Sequence, residues 1–220
     1  MKILGKEEIK FILEVCQLTR LKNINDLLKT KNKLMKYNID SKIYPDFISF
    51  NLILNKWKAE KEKIVFTNGC FDIIHHGHID SLLKSARLGT KLIVGLNSDH
   101  SVNQLKGKNR PVFDVAARGM ILAALGFVHA VVIFYEETPE KLIESIIPDF
   151  LVKGKDYAVH EIVGHETVIR HGGKVITLDL VPDISTSIVI QKIIQIKNEN
   201  FSDGFEWIEE SEKVEELFEF

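Results

Sequence analysis

The stretch Ile64–His78, which reads IVFTNGCFDIIHHGH, predicts a strand, a tight turn and the start of a helix. Its first three residues are uncharged and β-branched or aromatic, as in a strand buried on both faces of a parallel sheet. Asn68-Gly69 is a turn signal that ends this strand. The next apolar residues have helical spacing: Ile79, Leu82, Leu83 and Ala86.

A helix that starts beyond the carboxyl end of a buried strand directs its unpaired N–H groups and its positive dipole end at the carboxyl edge of the sheet. Such a helix start is suited to binding a phosphate. His75 and His78 are three residues apart, so they share a side of the first turn. Gly77 between them lets a ligand approach the backbone. Clustered histidines also occur in zinc sites, which need three or four ligands. Cys70 is the one nearby thiol, so no metal site is predicted.

Strand and helix patterns alternate regularly after Ile64. The predicted strands are Ile64–Phe66, Leu92–Leu96, Ala130–Phe134, Phe150–Val152 and Val175–Leu178, and the predicted helices lie at about 79–88, 114–125, 139–147, 160–171 and 186–197. This alternation predicts an α/β fold, a Rossmann-like doubly wound parallel sheet with right-handed crossovers. Ligands of such sheets bind beyond the carboxyl ends of the strands.

Two end segments flank the predicted domain at residues 61–197. Residues 1–60 are rich in Lys and contain apolar residues at helical spacing, which predicts an N-terminal helical extension that packs on the domain or makes a subunit contact. Residues 198–220 form an acidic C-terminal tail, and Glu199–Phe220 holds nine acidic residues and one Lys. Its large apolar residues favour a docked segment over a solvated tail: Phe201, Phe205, Trp207, Ile208, Leu217 and Phe218.

The composition is that of an ordinary globular protein, with 45% apolar residues and a net charge of −2 over 220 residues. This balance does not predict a nucleic-acid partner. Cys16 and Cys70 are the two cysteines, so no disulfide framework is implied. The N-terminus lacks a signal-peptide pattern and no run of 18 apolar residues occurs, so we expect a cytoplasmic protein without membrane insertion.

The segment TNGCFDIIHHGH resembles the GxFDxxHxGH signature of the cytidylyltransferase-like nucleotidyltransferases, which join a nucleotide to a phosphorylated acceptor and release pyrophosphate. Within this superfamily the chain is most similar to the D-glycero-β-D-manno-heptose 1-phosphate adenylyltransferases, the ADP-heptose synthases of lipopolysaccharide core assembly. Between about Lys61 and Ile196, further motifs follow in that family's order: Leu105-Lys106-Gly107, Arg110-Pro111-Val112, Glu137-Thr138-Pro139, Val152-Lys153-Gly154, Asp156-Tyr157 and Ser185-Thr186-Ser187.

The resemblance implies transfer of AMP from ATP to a sugar 1-phosphate, with Mg²⁺ carried on the ATP, in a homodimer. The residues that it implies as catalytic are His75, His78 and Lys106. The residues that it implies as nucleotide-binding are Gly69, Cys70, Phe71, Gly77, Lys153, Gly154, Asp156, Ser185, Thr186 and Ser187. The residues that it implies as acceptor-binding are Asp72, Asp99, Arg110 and Arg118.

The chain departs from the family pattern in two places. Val128-His129 stands where the family usually has Val-Asp, and Val181-Pro182-Asp183-Ile184 lacks the Arg and Gly that cytidylyltransferases carry before the Ser-Thr motif. The missing Arg disfavours a glycerol-3-phosphate cytidylyltransferase. Two alternatives remain open: a cytidylyltransferase for a polyol phosphate, and a nucleotide-binding assembly module that has lost its catalysis.

Overall fold

The computed structural model describes residues 39–155 and 158–202. The strands within these ranges are β1 Ile43–Tyr44, β2 Ile64–Gly69, β3 Lys91–Asn97, β4 Ala130–Phe134, β5 Phe150–Gly154 and β6 Lys174–Leu178. The α-helices are α1 Phe47–Ala59, α2 His76–Ala86, α3 Asp99–Lys106, α4 Val115–Ala124, α5 Glu140–Ile146, α6 His165–Arg170 and α7 Thr186–Ser202. None of these described helices is long and apolar enough to cross a membrane.

The six strands form one sheet in the order β1-β4-β3-β2-β5-β6, and every neighbouring pair is parallel. From β2 the chain adds β3 and β4 towards one edge, then returns to place β5 on the other side of β2. The order therefore reverses between β2 and β5, and the carboxyl ends at this point are where a doubly wound sheet binds ligands. The predicted fold class is confirmed.

β2 is buried on both faces because helices cover both sides of the sheet. Ile64 and Phe66 point into one core, which α1, α5 and α6 cover, and Val65 points into the other, which α2 and α4 cover. All three side chains are at most 1% exposed. The alternation follows from the two-residue period of a strand, so an uncharged apolar run is the sequence that this central position requires.

The core continues across the predicted boundary at residue 60. β1 pairs with β4 at the sheet edge, and Phe50 and Leu54 of α1 are buried in the core beside β4. Asp46 caps α1 by accepting a hydrogen bond from the Ser49 N–H at 2.7 Å. Residues 39–60 are therefore part of the sheet's own packing. Residues 1–38 and the tail from residue 203 lie outside the described residues.

Several elements differ from the sequence prediction. β1 was not predicted, and β2 continues through Asn68-Gly69, which was expected to end it. α3 was not among the predicted helices because its apolar stripe is short: Ser101 and Val102 are its buried residues. The helix predicted at 160–171 starts at His165, since Gly164 before it has a left-handed φ of 84° and a 3-10 turn, Val159–Glu161, precedes it. α7 extends past the predicted end at 197 to Ser202.

His129 lies at the amino end of β4, away from the carboxyl edge where ligands are expected. Its Nδ1 accepts a hydrogen bond from the Leu92 N–H at 3.1 Å. Its ring and the Trp57 ring form an edge-to-face pair with centroids 6.4 Å apart. Because Nδ1 is an acceptor, the ring is held neutral with its proton on Nε2. Burial, and then the charge of Lys91, lower the pKa of His129. The departure from the family's Asp is therefore a local packing feature.

We expect the stability of the protein to fall as pH drops below the ordinary histidine pKa of 6.5, because the pKa of His129 is lower in the folded state. The unfolded chain then binds more protons, which favours unfolding. His129→Asn keeps an acceptor that does not titrate, so its Tm should fall less than the wild-type Tm between about pH 7 and about pH 5. Thermal unfolding monitored by circular dichroism measures this, with exposed His160→Asn as the matched control. Equal slopes for His129→Asn and wild type would contradict this role.

Candidate active site

The structure brings His75 and His78 together at the carboxyl end of β2. His75 is the N-cap residue of α2 and His78 lies in its first turn. Their rings stack with centroids 3.8 Å apart and an angle of 27° between planes. The His75 backbone N–H lies 3.4 Å from Nδ1 of His78 and donates to it, which fixes how the second ring is turned.

Both imidazoles are neutral near pH 7 in this environment. Burial, and then the neighbouring His75, lower the pKa of His78 to about 4. Burial, and then the neighbouring His76, lower the pKa of His75. Since Nδ1 of His78 accepts a hydrogen bond, its proton lies on Nε2 and can be donated to a ligand. Among the described residues, Nδ1 of His75 is buried without a hydrogen-bond partner, so a ligand could satisfy it.

The start of α7 lies against the start of α2, and Gly77 makes this approach possible. A Cβ at Gly77 would lie 3.0 Å from Cγ2 of Ile184 and 3.1 Å from Nδ1 of His75, so a side chain would push the two segments apart. The Thr186 hydroxyl donates to the Ile73 carbonyl at 3.4 Å, and the Ser185 hydroxyl accepts from the Ile188 N–H at 3.2 Å. Two helix N-termini thus face the same edge of the sheet.

Asp72 is turned into the protein and holds the segment that follows α3. Its side chain is 1% exposed and accepts hydrogen bonds from Nε of Arg110, from the Val112 N–H at 2.8 Å and from the Phe113 N–H at 3.1 Å. The Arg110 side chain is therefore drawn inward and is 18% exposed. These contacts favour a role for Asp72 in fixing this segment over the predicted contact with the acceptor.

Arg118 is completely buried and joins the ends of two central strands. Nη1 donates to the Cys70 carbonyl after β2, and Nη2 donates to the Asn97 carbonyl at 2.8 Å and to the Asp99 carboxylate at 2.7 Å. Nε donates to the Phe113 carbonyl at 3.0 Å. A guanidinium with four protein acceptors and no exposed surface favours a positioning role over the predicted acceptor contact. Asp99 keeps 43% of its side chain exposed.

The two predicted lysines lie on opposite sides of the histidine pair. Lys106 is the last residue of α3 and is exposed. Its charge acts on Cys70: burial raises the pKa of the Cys70 thiol, and the charge of Lys106 is the main effect that lowers it. Lys153 lies near the end of β5, and its Nζ donates to the Asn68 carbonyl at 3.5 Å. Gly154 ends β5 beside this point.

Asp156, predicted to contact the nucleoside, lies outside the described residues. Asn68 was not predicted as a site residue because Asn-Gly was interpreted as an ordinary turn signal, whereas β2 continues to Gly69. Its side-chain Oδ1 is buried without a hydrogen-bond partner among the described residues, at the same edge of the sheet as the histidine pair. A bound molecule could satisfy this oxygen, as it could Nδ1 of His75.

A cleft of about 510 Å³ lies at the opposite, amino edge of the sheet and contains none of the predicted site residues. Its lining includes Lys58, Lys63, Asp149 and His171, and Lys63 is already paired with Asp149 at 2.8 Å. The carboxyl edge has the more suitable chemistry for phosphates: neutral imidazole donors, two lysines and two helix N-termini. The described residues contain no group of three or more His, Cys, Asp or Glu side chains that could hold a metal ion.

The chain is similar to several known proteins. Residues 66–192 match the family model described as cytidylyltransferase-like. The protein named "Bifunctional protein HldE" from Azorhizobium caulinodans is 47% identical over 140 residues, 64% of this chain and 29% of that protein. Its namesake from Alcanivorax borkumensis is 50% identical over 136 residues, 62% of this chain and 29% of that protein. The chain thus aligns with less than a third of the length of these relatives.

Two solved structures also resemble the chain. One is the lipopolysaccharide core biosynthesis protein from Thermoplasma volcanium GSS1, with 28% identity, a TM-score of 0.46 and coverage of 55% of this chain and 97% of that one. The other is pantoate-beta-alanine ligase from Francisella tularensis, with 16% identity, a TM-score of 0.48 and coverage of 73% and 77%. The family model spans more than half of the sequence, from the strand that ends at the histidine motif to α7. This chain belongs to the cytidylyltransferase-like family.

Proposed function

We propose that this chain is an adenylyltransferase that moves AMP from ATP to D-glycero-β-D-manno-heptose 1-phosphate, giving ADP-heptose and pyrophosphate for lipopolysaccharide core synthesis. The observation that carries the proposal is the stacked, neutral pair His75 and His78 beside the start of α7. Family membership supports nucleotidyl transfer. The resemblance of the loops at Lys106–Val112, Glu137–Pro139 and Lys153–Tyr157 supports the choice of ATP and heptose 1-phosphate.

The reaction needs charge stabilisation more than a general base. An oxygen of the acceptor phosphate forms a bond to the α-phosphorus of ATP, and the bond from that phosphorus to the bridging oxygen breaks, so pyrophosphate leaves with the electron pair. The acceptor phosphate has a second pKa of about 6, so it is already largely dianionic at pH 7. Asp72 is committed to protein hydrogen bonds, which is consistent with a mechanism without a carboxylate base.

His78 is proposed to donate its Nε2–H to an oxygen of the α-phosphate as negative charge accumulates there. A bound phosphate favours the charged imidazolium, so nucleotide binding should raise the pKa of His78 from its low value in the free protein. Lys106 and Arg110 are proposed to contact phosphates from the α3 side. The hydroxyls and N–H groups of Ser185–Ser187 are proposed to hold the β- and γ-phosphates.

Arg118 and Asp72 are proposed as positioning residues. Through Arg118, the backbone after β2 keeps a fixed distance from the start of α3, and through Asp72 the Arg110 loop stays beside the histidine motif. Asp99 is proposed to contribute to this positioning through its ion pair with Arg118. Asp156 is proposed to accept a hydrogen bond from the amino group of the base.

Mg²⁺ is proposed to arrive on the phosphates of ATP with several of its waters, because the described residues offer no carboxylate cluster to hold it. Phosphate oxygens and water then supply the ligands that this cation prefers. The proposed setting is the cytoplasm. The predicted homodimer stays a prediction.

An assay of pyrophosphate release tests the proposed substrates directly. ATP or CTP should be combined with heptose 1-phosphate, glycerol 3-phosphate or phosphopantetheine, with Mg²⁺ present. We expect ATP with heptose 1-phosphate to give a kcat/KM at least about tenfold above every other pair, about 1.4 kcal/mol of transition-state binding. A preference for CTP or glycerol 3-phosphate would overturn the substrate assignment. Nucleotide binding without any turnover would indicate a module that has lost its catalysis.

His78→Ala should lower kcat by about 10²–10³ with little change in fold, because it removes a donor used in the transition state. Steady-state kinetics on the purified variant measures this, and circular dichroism checks the fold. His76→Ala is the matched control: His76 is the exposed member of the same cluster and should keep wild-type turnover. Unchanged kcat in His78→Ala would remove the assigned role.

Arg118→Lys should raise the KM for both substrates and lower the free energy of unfolding by about 2–4 kcal/mol, since a lysine cannot serve four separated acceptors and leaves buried carbonyls unpaired. Denaturant unfolding and two-substrate kinetics measure the two effects. Exposed Arg170→Lys is the control and should change neither. A variant of normal stability in which the acceptor KM alone rises would show that Arg118 contacts the acceptor directly.

A further inference from the structure

α4 presents an uncharged face to solvent. Its exposed residues are Ala116, Met120, Ile121 and Ala124, with Met120 54% and Ile121 37% exposed. At about 100° per residue these four positions fall within about 140° of the helix circumference, so they form one continuous face, the α4 face. The buried residues occupy the opposite arc: Arg118, Gly119, Leu122 and Ala123. A helix on a protein surface normally turns charged or polar residues outward.

The sequence around α4 has the same character. Between Asp114 and His129 the one side chain with a polar group is that of Arg118, and it is buried. Directly before the helix, Val112 and Phe113 are 54% and 44% exposed. Apolar residues that are exposed singly are ordinary, whereas exposed apolar residues that adjoin one another mark an interaction surface.

We infer that α4 is the contact helix of a homodimer, in which the α4 face packs antiparallel against the same face of a second copy of this chain. A closed two-fold contact uses the same surface on both subunits, so that surface must be complementary to itself. The α4 face meets this requirement because it has no charge that an identical face would repel. The small side chains of Ala116 and Ala124 also let two helices approach closely.

The charges at the two ends of α4 favour the antiparallel arrangement. Asp114 caps the amino end and is exposed. Lys42 lies at the carboxyl end, where its Nζ donates to the Ala123 carbonyl at 3.0 Å and to the Leu125 carbonyl at 3.5 Å. Antiparallel packing brings the Asp114 end of one copy to the Lys42 end of the other and pairs opposite helix dipoles. Parallel packing would instead bring two Asp114 carboxylates together.

The proposed contact extends from α4 towards the candidate active site. A stable interface buries about 800 Å² on each partner, so the contact should include residues beyond the α4 face. Val112 and Phe113 provide this extension. Their backbone N–H groups donate to Asp72, which also holds Arg110 beside the histidine motif. A second copy bound here would therefore shield the segment that carries Arg110 from one side. The inference does not depend on which substrates the enzyme uses.

Sedimentation velocity over a wide range of protein concentrations tests this contact. Met120 lies near the middle of α4, so the two-fold axis of an antiparallel pair brings the two copies of this residue together. We expect the wild type to be a dimer and Met120→Glu to raise the dimer Kd at least about a hundredfold, since two like charges would meet at the axis. Leu52→Glu is the matched control: Leu52 is 78% exposed but lies on α1, so this variant should stay dimeric. Circular dichroism checks that each variant is folded.

A charge exchange at the same position provides the second test. Met120→Lys alone should also be monomeric, whereas an equal mixture of Met120→Glu and Met120→Lys should restore a dimer, because opposite charges then meet at the axis. The inference is overturned by a wild type that stays monomeric at every concentration, since the α4 face would then be covered by another part of the same chain or left open. It is also overturned by a dimer that Met120→Glu leaves intact or that Leu52→Glu dissociates as well, and by a mixture that stays monomeric.

Discussion

The candidate site depends on one buried cation, the guanidinium of Arg118. Loops at the carboxyl edge of a parallel sheet have no strand ladder to hold them, so each needs its own tie to the domain. Arg118 supplies three ties at once, to the segment after β2, to the end of β3 and to the loop before α4. Burying this charge is costly unless it is fully paired, and the Asp99 carboxylate with three carbonyls meets that requirement.

The same arrangement explains why the histidine motif remains available for a ligand. Arg118 and Asp72 hold the surrounding backbone. Among the described residues, the hydrogen bond that involves the two imidazole rings is the one from the His75 N–H to Nδ1 of His78. Their low pKa values keep them neutral, which reduces the cost of holding two imidazoles 3.8 Å apart. Phosphates of a ligand would bring negative charge to the histidine pair. The site is thus preorganised for anions, and the electrostatic repulsion between the two imidazoles stays small because both are neutral.

Much of this architecture could be predicted from the sequence, because its signals are local. The uncharged run Ile64–Phe66 identifies the central strand, and the spacing of His75 and His78 places both on one turn of α2. The positions of Asp72 and Arg118 could not be predicted in the same way. Whether a charged side chain points to solvent or into the core depends on carbonyls that are distant in sequence, such as Asn97 for Arg118.

The elements missed from the sequence have a similar cause. α3 buries only a short stripe against β3, and its start depends on a Ser98 cap more than on a long apolar pattern. β1 has two residues and is recognisable only from its pairing with β4. Residues 39–60 gave no chemical motif, yet Phe50 and Leu54 complete the core behind the sheet. Long-range contacts of this kind are not encoded in a local pattern.

The central claim is that phosphates bind between the starts of α2 and α7 at the carboxyl edge of the sheet. Hydrogen exchange of backbone amides, compared with and without a non-hydrolysable ATP analogue and Mg²⁺, tests it most directly. The account predicts slower exchange in residues 69–79 and 183–190, and no change in residues 58–63 and 171–173 around the amino-edge cleft. Slower exchange at the amino-edge cleft, with residues 69–79 unchanged, would contradict it.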